Sequence, residues 1–283
     1  MSEVNAPVVG VALSALGVAL IREMESRRPD RLYDDPLASA FVAAARDDFR
    51  GTDGGAARWS RVEALAEQFF PGRSVGVRLV DDQVADAVAA GCRQLVLLGA
   101  GLDTRAFRLG LPADVTVYEL DLPALFSFKE PVLRATGAIP TTRRRILPID
   151  LREEWASRLR DTGFRPDQPT VWIDEGALPY LPAADHRRAV ATLTDLSAPG
   201  SRFGLSRFTV DADAPHYVEL RRLVSGDEEA AAPLSDGERP GRQWLVDHGW
   251  RTEFRAWDDM IAPLGREVAV HDPHVGVVHA VRE

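Results

Sequence analysis

Apolar positions along this chain follow helical spacing at first and strand spacing later. Over residues 11–28 they recur as on one helix, and the segment stops before Pro29. Asp35-Pro36 opens a second helix, with proline at the first helical position, where its missing N–H is not needed. Residues 51–55 read as a flexible loop. Residues 75–90 then alternate Val, Leu and Ala with Arg78, Asp81, Asp82 and Asp86, which predicts a helix with one buried face. Beyond it the runs shorten. Residues 95–98, 115–120, 145–148, 170–173 and 202–206 read as strands separated by helical stretches, so the sheet should be parallel with right-handed crossovers. Residues 225–241, acidic, alanine-rich and broken by Pro233, Gly237 and Pro240, read as a mobile loop. Residues 250–257 and 275–281 read as two closing strands.

Composition narrows the class. The chain has 283 residues, 45% hydrophobic and 27% charged, which suits a globular enzyme and not a disordered chain. A formal net charge of −9 argues against a nucleic-acid partner. The cluster Arg143-Arg144-Arg145 reads as a solvated strand entrance. Cys92 is the sole cysteine, so an internal disulfide and a cysteine zinc cluster are both excluded, and a small core residue is expected there. Residues 7–21 are apolar, but Glu3 precedes them, no basic region does, and Arg22-Glu23 follow. The run is also too short to cross a bilayer. The expectation is a cytoplasmic protein without a membrane partner.

Candidate chemistry begins where the run at 95–98 breaks into Gly99-Ala100-Gly101. Glycines there allow a tight turn and a close ligand approach at the carboxyl end of a central strand. Asp121 ends the next strand, 22 residues after Gly99, near the spacing expected of an acid that binds ribose hydroxyls. A dinucleotide fingerprint requires a third glycine or alanine, and this chain has Thr104 followed by Arg105. The pattern therefore favours S-adenosylmethionine, which has a ribose but no phosphate, over NAD.

Five blocks in this order resemble the leucine carboxyl methyltransferase family, and within it the bacterial branch that includes polyketide O-methyltransferases. They are residues 25–38 (ESRRPDRLYDDPLA), Arg78-x-x-Asp81-Asp82, residues 98–105 (LGAGLDTR), residues 118–123 (YELDLP) and residues 174–182 (DEGALPYLP). The resemblance implies an α/β fold of class I S-adenosylmethionine-dependent methyltransferase type: a Rossmann-like, mostly parallel sheet with an antiparallel last strand. It would form one domain over residues 1–283, with a helical cap at 1–92, a cofactor-binding core at 93–207, an inserted lid at 208–241 and closing strands at 242–283.

The resemblance also implies a binding set. Arg78 would pair with the methionine carboxylate; Gly76 stands where a second family arginine is often found, and Arg73 is the alternative cation. Gly99 and Gly101 would pass under the methionyl portion, and Asp121 would take the ribose hydroxyls. Asp150 would meet the adenine amine with Leu151 on the ring, and Glu175 would balance the methionine ammonium. Asp103 would orient Arg105 or cap a helix. Glu119, Tyr180 and Pro182 read as structural, and Arg22, Arg27 and Arg28 as helix-surface residues. The implied reaction is O-methylation of a carboxylate or hydroxyl on a small-molecule or peptide acceptor, a polyketide or peptide natural-product intermediate. No catalytic residue is assigned; among six histidines His216 is the best placed. A nicotinamide-dependent oxidoreductase and a non-catalytic nucleotide-binding protein on the same fold remain the other readings.

Overall fold

A computed structural model describes residues 6, 12–207, 215–225 and 241–283. Seven strands form one sheet in the order β3-β2-β1-β4-β5-β7-β6. These are β1 (Gln94–Leu98), β2 (Thr116–Asp121), β3 (Arg143–Pro148), β4 (Thr170–Asp174), β5 (Arg202–Arg207), β6 (Trp250–Ala256) and β7 (Gly276–Arg282). The first five run parallel, and β7 pairs antiparallel with both β5 and β6. Every strand expected from the sequence is present, shifted by at most two residues at either end.

The continuous apolar run of β1 follows from its place between β2 and β4, where both faces are covered. Leu95 and Leu97 pack with Val84, Ala87, Val117 and Ile173. Val96 and Leu98 point the other way, into a cluster with Trp172, Trp155 and Leu193. Chain order places β2 and β3 on one side of β1 and β4 and β5 on the other. The direction of strand order thus reverses between β1 and β4, and in open α/β sheets ligands bind outside the strand ends at that point.

Helices α1 (Ala12–Ser26), α2 (Pro36–Arg50) and α3 (Gly55–Ala89) precede the sheet. They share an apolar core, including Leu16, Phe41, Phe49 and Trp59, with Phe128 of α5 (Pro123–Ala135). Asp35 caps α2, its carboxylate accepting the Ala38 N–H at 3.3 Å. Two expectations need correction here. The loop at residues 51–55 ends at Gly54, and the helix expected at 75–90 begins twenty residues earlier, at Gly55. Pro71, Gly72 and Gly76 look like breakers, yet they lie inside a helix that packs on α1 and α2.

Short helices α4 (Arg105–Arg108), α6 (Ala156–Asp161), α9 (Arg242–Asp247) and α10 (Trp257–Ile261) and the longer α7 (Ala183–Asp195) complete the crossovers and the closing strands. Asp150 to Trp155 form a turn before α6. Within the expected lid, α8 (Pro215–Ser225) packs on α1 and α3. Residues 208–214 and 226–240, most of the segment read as a mobile loop, lie outside the described residues.

Candidate functional site

A cavity of about 310 Å³ opens at the carboxyl ends of β1, β2 and β4, near the lower end of the range for small-molecule sites. Gly99, Gly101, Asp121, Asp150, Leu151 and Glu175 all line it. Arg78 does not. Its guanidinium turns away to Asp82 (Nε–Oδ1 2.8 Å) and to the carbonyl of Leu32 (3.1 Å). Arg73, more than one helical turn earlier on α3, reaches the cavity instead and pairs with Glu175 at 3.3 Å.

The floor of the cavity is backbone. Gly99 and Gly101 have φ of +65° and +50°, the left-handed region that favours glycine. A Cβ at Gly99 would come closer than 3.0 Å to the Cβ of Ala177, and one at Gly101 would sit 3.3 Å from Ala15. Asp121 holds this loop from the side, its carboxylate accepting the N–H groups of Gly101 (2.7 Å) and Leu122 (2.6 Å). Burial pushes its carboxyl pKa up, and those two N–H groups pull it only part of the way back.

Glu175 owes its direction to Asp174, the last residue of β4. One oxygen of Asp174 accepts the N–H groups of Gly176, Ala177 and Leu178 (3.2, 2.7 and 3.1 Å), which turns the chain sharply and sends the next side chain into the cavity. Burial raises the Asp174 carboxyl against those three bonds.

Around the cavity lies a largely buried ionic network that ties together four of the five blocks carrying the family resemblance. Arg105, 1% exposed, contacts Asp81 (2.8 Å), Asp103 (2.5 Å) and Glu175. Arg108 also takes Asp81 (2.6 Å). Arg22 reaches Asp35 (3.0 Å) and the carbonyl of Leu102 (2.6 Å), and the Thr104 hydroxyl donates to Asp35 (2.7 Å). Four guanidiniums (Arg22, Arg73, Arg105, Arg108) thus meet four carboxylates (Asp35, Asp81, Asp103, Glu175). Burial alone would raise the Asp103 carboxyl, but the surrounding cations, Arg105 foremost, hold it below the usual range. Asp103 both accepts the N–H of Arg105, the first residue of α4, at 2.7 Å and orients the Arg105 side chain. A carboxylate on this helix start, with Thr104 buried behind it, leaves no anion cradle for a pyrophosphate.

Sequence reasoning misjudged several residues. Arg22 is buried, not on a helix surface, because Asp35 and Thr104 arrive from two later segments to meet it. Tyr180 lines the cavity and is 41% exposed. Arg144 is no solvated strand entrance: with Lys129 it neutralises the buried Glu119, both at 2.7 Å. Arg27 and Arg28 are the more exposed pair expected, bound to Glu23 and Asp30. Asp150 is clamped by Arg152 (Nε–Oδ2 2.9 Å) at the cavity wall, and that side-chain contact lowers its carboxyl pKa. Leu151 is buried beside it, and Cys92 is a core residue. No helix among the described residues is long and apolar enough to cross a membrane.

Known proteins resemble this chain over most of its length. A family model described as leucine carboxyl methyltransferase matches residues 15–194. A relative from Parafrankia sp. is 44% identical over 277 residues, covering 94% of this chain and 85% of its own. One from Saccharopolyspora erythraea is 38% identical over 273 residues, covering 95% and 93%. Both bear names assigning them, by name only, to S-adenosyl-L-methionine-dependent methyl transfer. In fold, the chain is similar to the crystal structure of a protein from Thermobifida fusca titled as a methyltransferase, with TM-score 0.54 and 18% identity over 97% of this chain and 95% of that one. The matched span contains all five sequence blocks, the glycine floor and the ionic network: the chain belongs to the leucine carboxyl methyltransferase family, on a class I methyltransferase fold.

Proposed function

We propose that this chain is an S-adenosylmethionine-dependent methyltransferase that methylates an oxygen, a carboxylate in preference to a hydroxyl, on a polyketide or peptide natural-product intermediate. The observation that carries the reading is the arrangement of charge around the cavity. Arg73 and Glu175 stand beside the glycine floor as a cation and an anion in contact, which fits the carboxylate and ammonium of a methionine end. Asp121 stands at the ribose distance in chain order, and Asp150 and Leu151 offer a polar edge and an apolar face for a base.

The cofactor supplies an electrophilic methyl group on a sulfonium. The protein's part is positioning and water exclusion. Asp121 fixes both the ribose and, through Gly101, the loop beneath it. Arg73 replaces Arg78 as the carboxylate partner, since Arg78 is committed to Asp82 and Leu32 outside the cavity. Glu175 holds the ammonium end, and Arg105 keeps its carboxylate aimed. A carboxylate acceptor is already a nucleophile and requires no general base, which suits a cavity whose carboxylates are all engaged. The test is mass spectrometry of the protein with isotope-labelled methyl donor and candidate acceptors. A labelled product whose methyl group is released by mild alkali is expected. An alkali-stable product would overturn the carboxylate preference, and transfer to nitrogen or carbon would overturn oxygen methylation.

A further inference from the structure

Tyr180 at the cavity and an aromatic cluster on α3 and α8 are not used by the cofactor contacts. Tyr180 closes the short 3-10 turn Leu178–Tyr180, directly after Glu175, and lines the cavity with its ring partly exposed. Arg73 and Tyr217, the latter on α8, both act electrostatically on its phenol. The Tyr217 ring packs edge-on against Phe69 of α3 at 5.2 Å and 68°, and His216 packs on the same ring at 5.2 Å and 77°. Phe69 stands one helical turn before Arg73, so the two share a face of α3. Arg73 and Tyr180 both line the cavity, so this aromatic cluster adjoins its rim.

We propose that this rim is the acceptor site and that the acceptor is an aromatic carboxylate, its ring packed among Phe69, Tyr180 and Tyr217. The inference rests on the methyl-transfer reading above and adds the substrate class. Rings that meet edge-on and offset give a planar aromatic guest more than its area alone would. Both phenols donate a hydrogen bond at neutral pH. Burial pushes both pKa values up, which keeps them donors. A pair of donors selects an ionised oxygen over a hydroxyl that must itself give up a proton. Glu175, which lines the cavity with Tyr180, is held by both Arg73 and Arg105. In the reaction one acceptor oxygen forms the new bond to the methyl carbon as the donor's sulfur–carbon bond breaks and its electron pair returns to sulfur. No proton is released, and the products are a methyl ester and S-adenosylhomocysteine.

The experiment uses the full chain saturated with S-adenosylhomocysteine and titrated with 2-naphthoate, its saturated decahydro analogue and 2-naphthol. Naphthoate should bind roughly tenfold more tightly than either of the others. Tyr217→Leu should abolish that preference while the affinity for S-adenosylhomocysteine stays unchanged. Tyr217→Phe, which keeps the ring, should retain the preference over the saturated acid and lose that over naphthol. Absence of naphthoate binding, equal binding of the saturated acid, tighter binding of naphthol, or an unaltered preference in Tyr217→Leu would each overturn the proposal. Failure of the parent chain to bind S-adenosylhomocysteine would instead overturn the methyl-transfer reading beneath it.

Discussion

Substituting Gly99 by alanine tests whether the cavity floor requires glycine for conformation, for space, or for both. The backbone there has φ +65°, which costs an L-residue about 1–2 kcal/mol. The added Cβ would also press on the Cβ of Ala177, closer than real Cβ atoms approach, and overpacking of this kind costs about 1–3 kcal/mol. Together the two effects predict a loss of about 2–5 kcal/mol, a large share of the ~5–15 kcal/mol typical of a domain. Urea denaturation of four proteins separates them: parent, Gly99→Ala, Ala177→Gly and the double variant. Ala177 has helical dihedrals (φ −86°, ψ −49°), so Ala177→Gly alone should cost about 0.5–1 kcal/mol. In the double variant the steric part vanishes and the φ cost persists, giving a favourable coupling of about 1–3 kcal/mol. The affinity for S-adenosylhomocysteine should fall in Gly99→Ala and recover only in part in the double variant. A Gly99→Ala loss within about 0.5 kcal/mol, or strict additivity of the cycle, would refute the reasoning.

Arg73→Lys should weaken S-adenosylhomocysteine binding by tenfold or more, because an ammonium cannot reproduce a planar two-point contact, whereas Arg78→Lys should leave it within twofold; calorimetry giving the reverse order would return the role to Arg78. Asp121→Ala should remove measurable binding in the same assay, since hydrogen bonds to a charged acceptor contribute about 1.5–3 kcal/mol each. With the Asp121 pKa raised in the folded state, its contribution to fold stability is present below the unfolded pKa and lost as pH rises through the folded one. Cofactor affinity runs the other way, because ribose needs the ionised form. Binding should therefore fall on acidification with a midpoint above the ordinary ~3.9 of aspartate, and Asp121→Asn should abolish that midpoint. Arg105→Leu leaves three carboxylates short of a buried partner and should destabilise the fold by about 3–5 kcal/mol; a loss under 1 kcal/mol in urea denaturation would show the network to be dispensable.

The strands were legible because each is a short apolar run with two covered faces, and that constraint is written locally. Gly99, Gly101 and Asp121 were legible for a similar reason, since a turn and a strand end leave marks at fixed spacing. What was not legible depended on which side chain met which across long separations. Arg22 and Asp35 carry the same letters whether exposed or buried, and only Thr104, sixty-nine residues beyond Asp35, shows that they face inward. Arg73 and Arg78 lie on one helix five residues apart, about 140° around its axis. Nothing in composition says which of them faces the sheet. Pro71 concealed the continuity of that helix, since a proline signals a break unless neighbouring helices hold the chain.

The ionic network also explains why the sequence blocks that identify the family lie so far apart in the chain. A buried guanidinium is tolerated only when every neighbour that satisfies it is present, and removing one partner leaves an uncompensated charge. Asp35 begins α2, Asp81 lies in α3, Asp103 and Arg105 follow β1, and Glu175 follows β4. None of these segments holds its charge alone. Each is stable in its observed position only when the helical cap has docked over the ends of β1 and β4. Cap docking and the aiming of Glu175 into the cavity are therefore one event. Neither Asp35 nor Asp81 lines the cavity, yet a lesion at Asp81 should loosen cofactor binding through Arg105, and one at Asp35 through Arg22 and Thr104. Hydrogen exchange in the Asp35→Asn variant should show faster opening of the 99–105 loop together with the start of α2. Faster exchange in α2 alone would mean that the cap and the floor are independent.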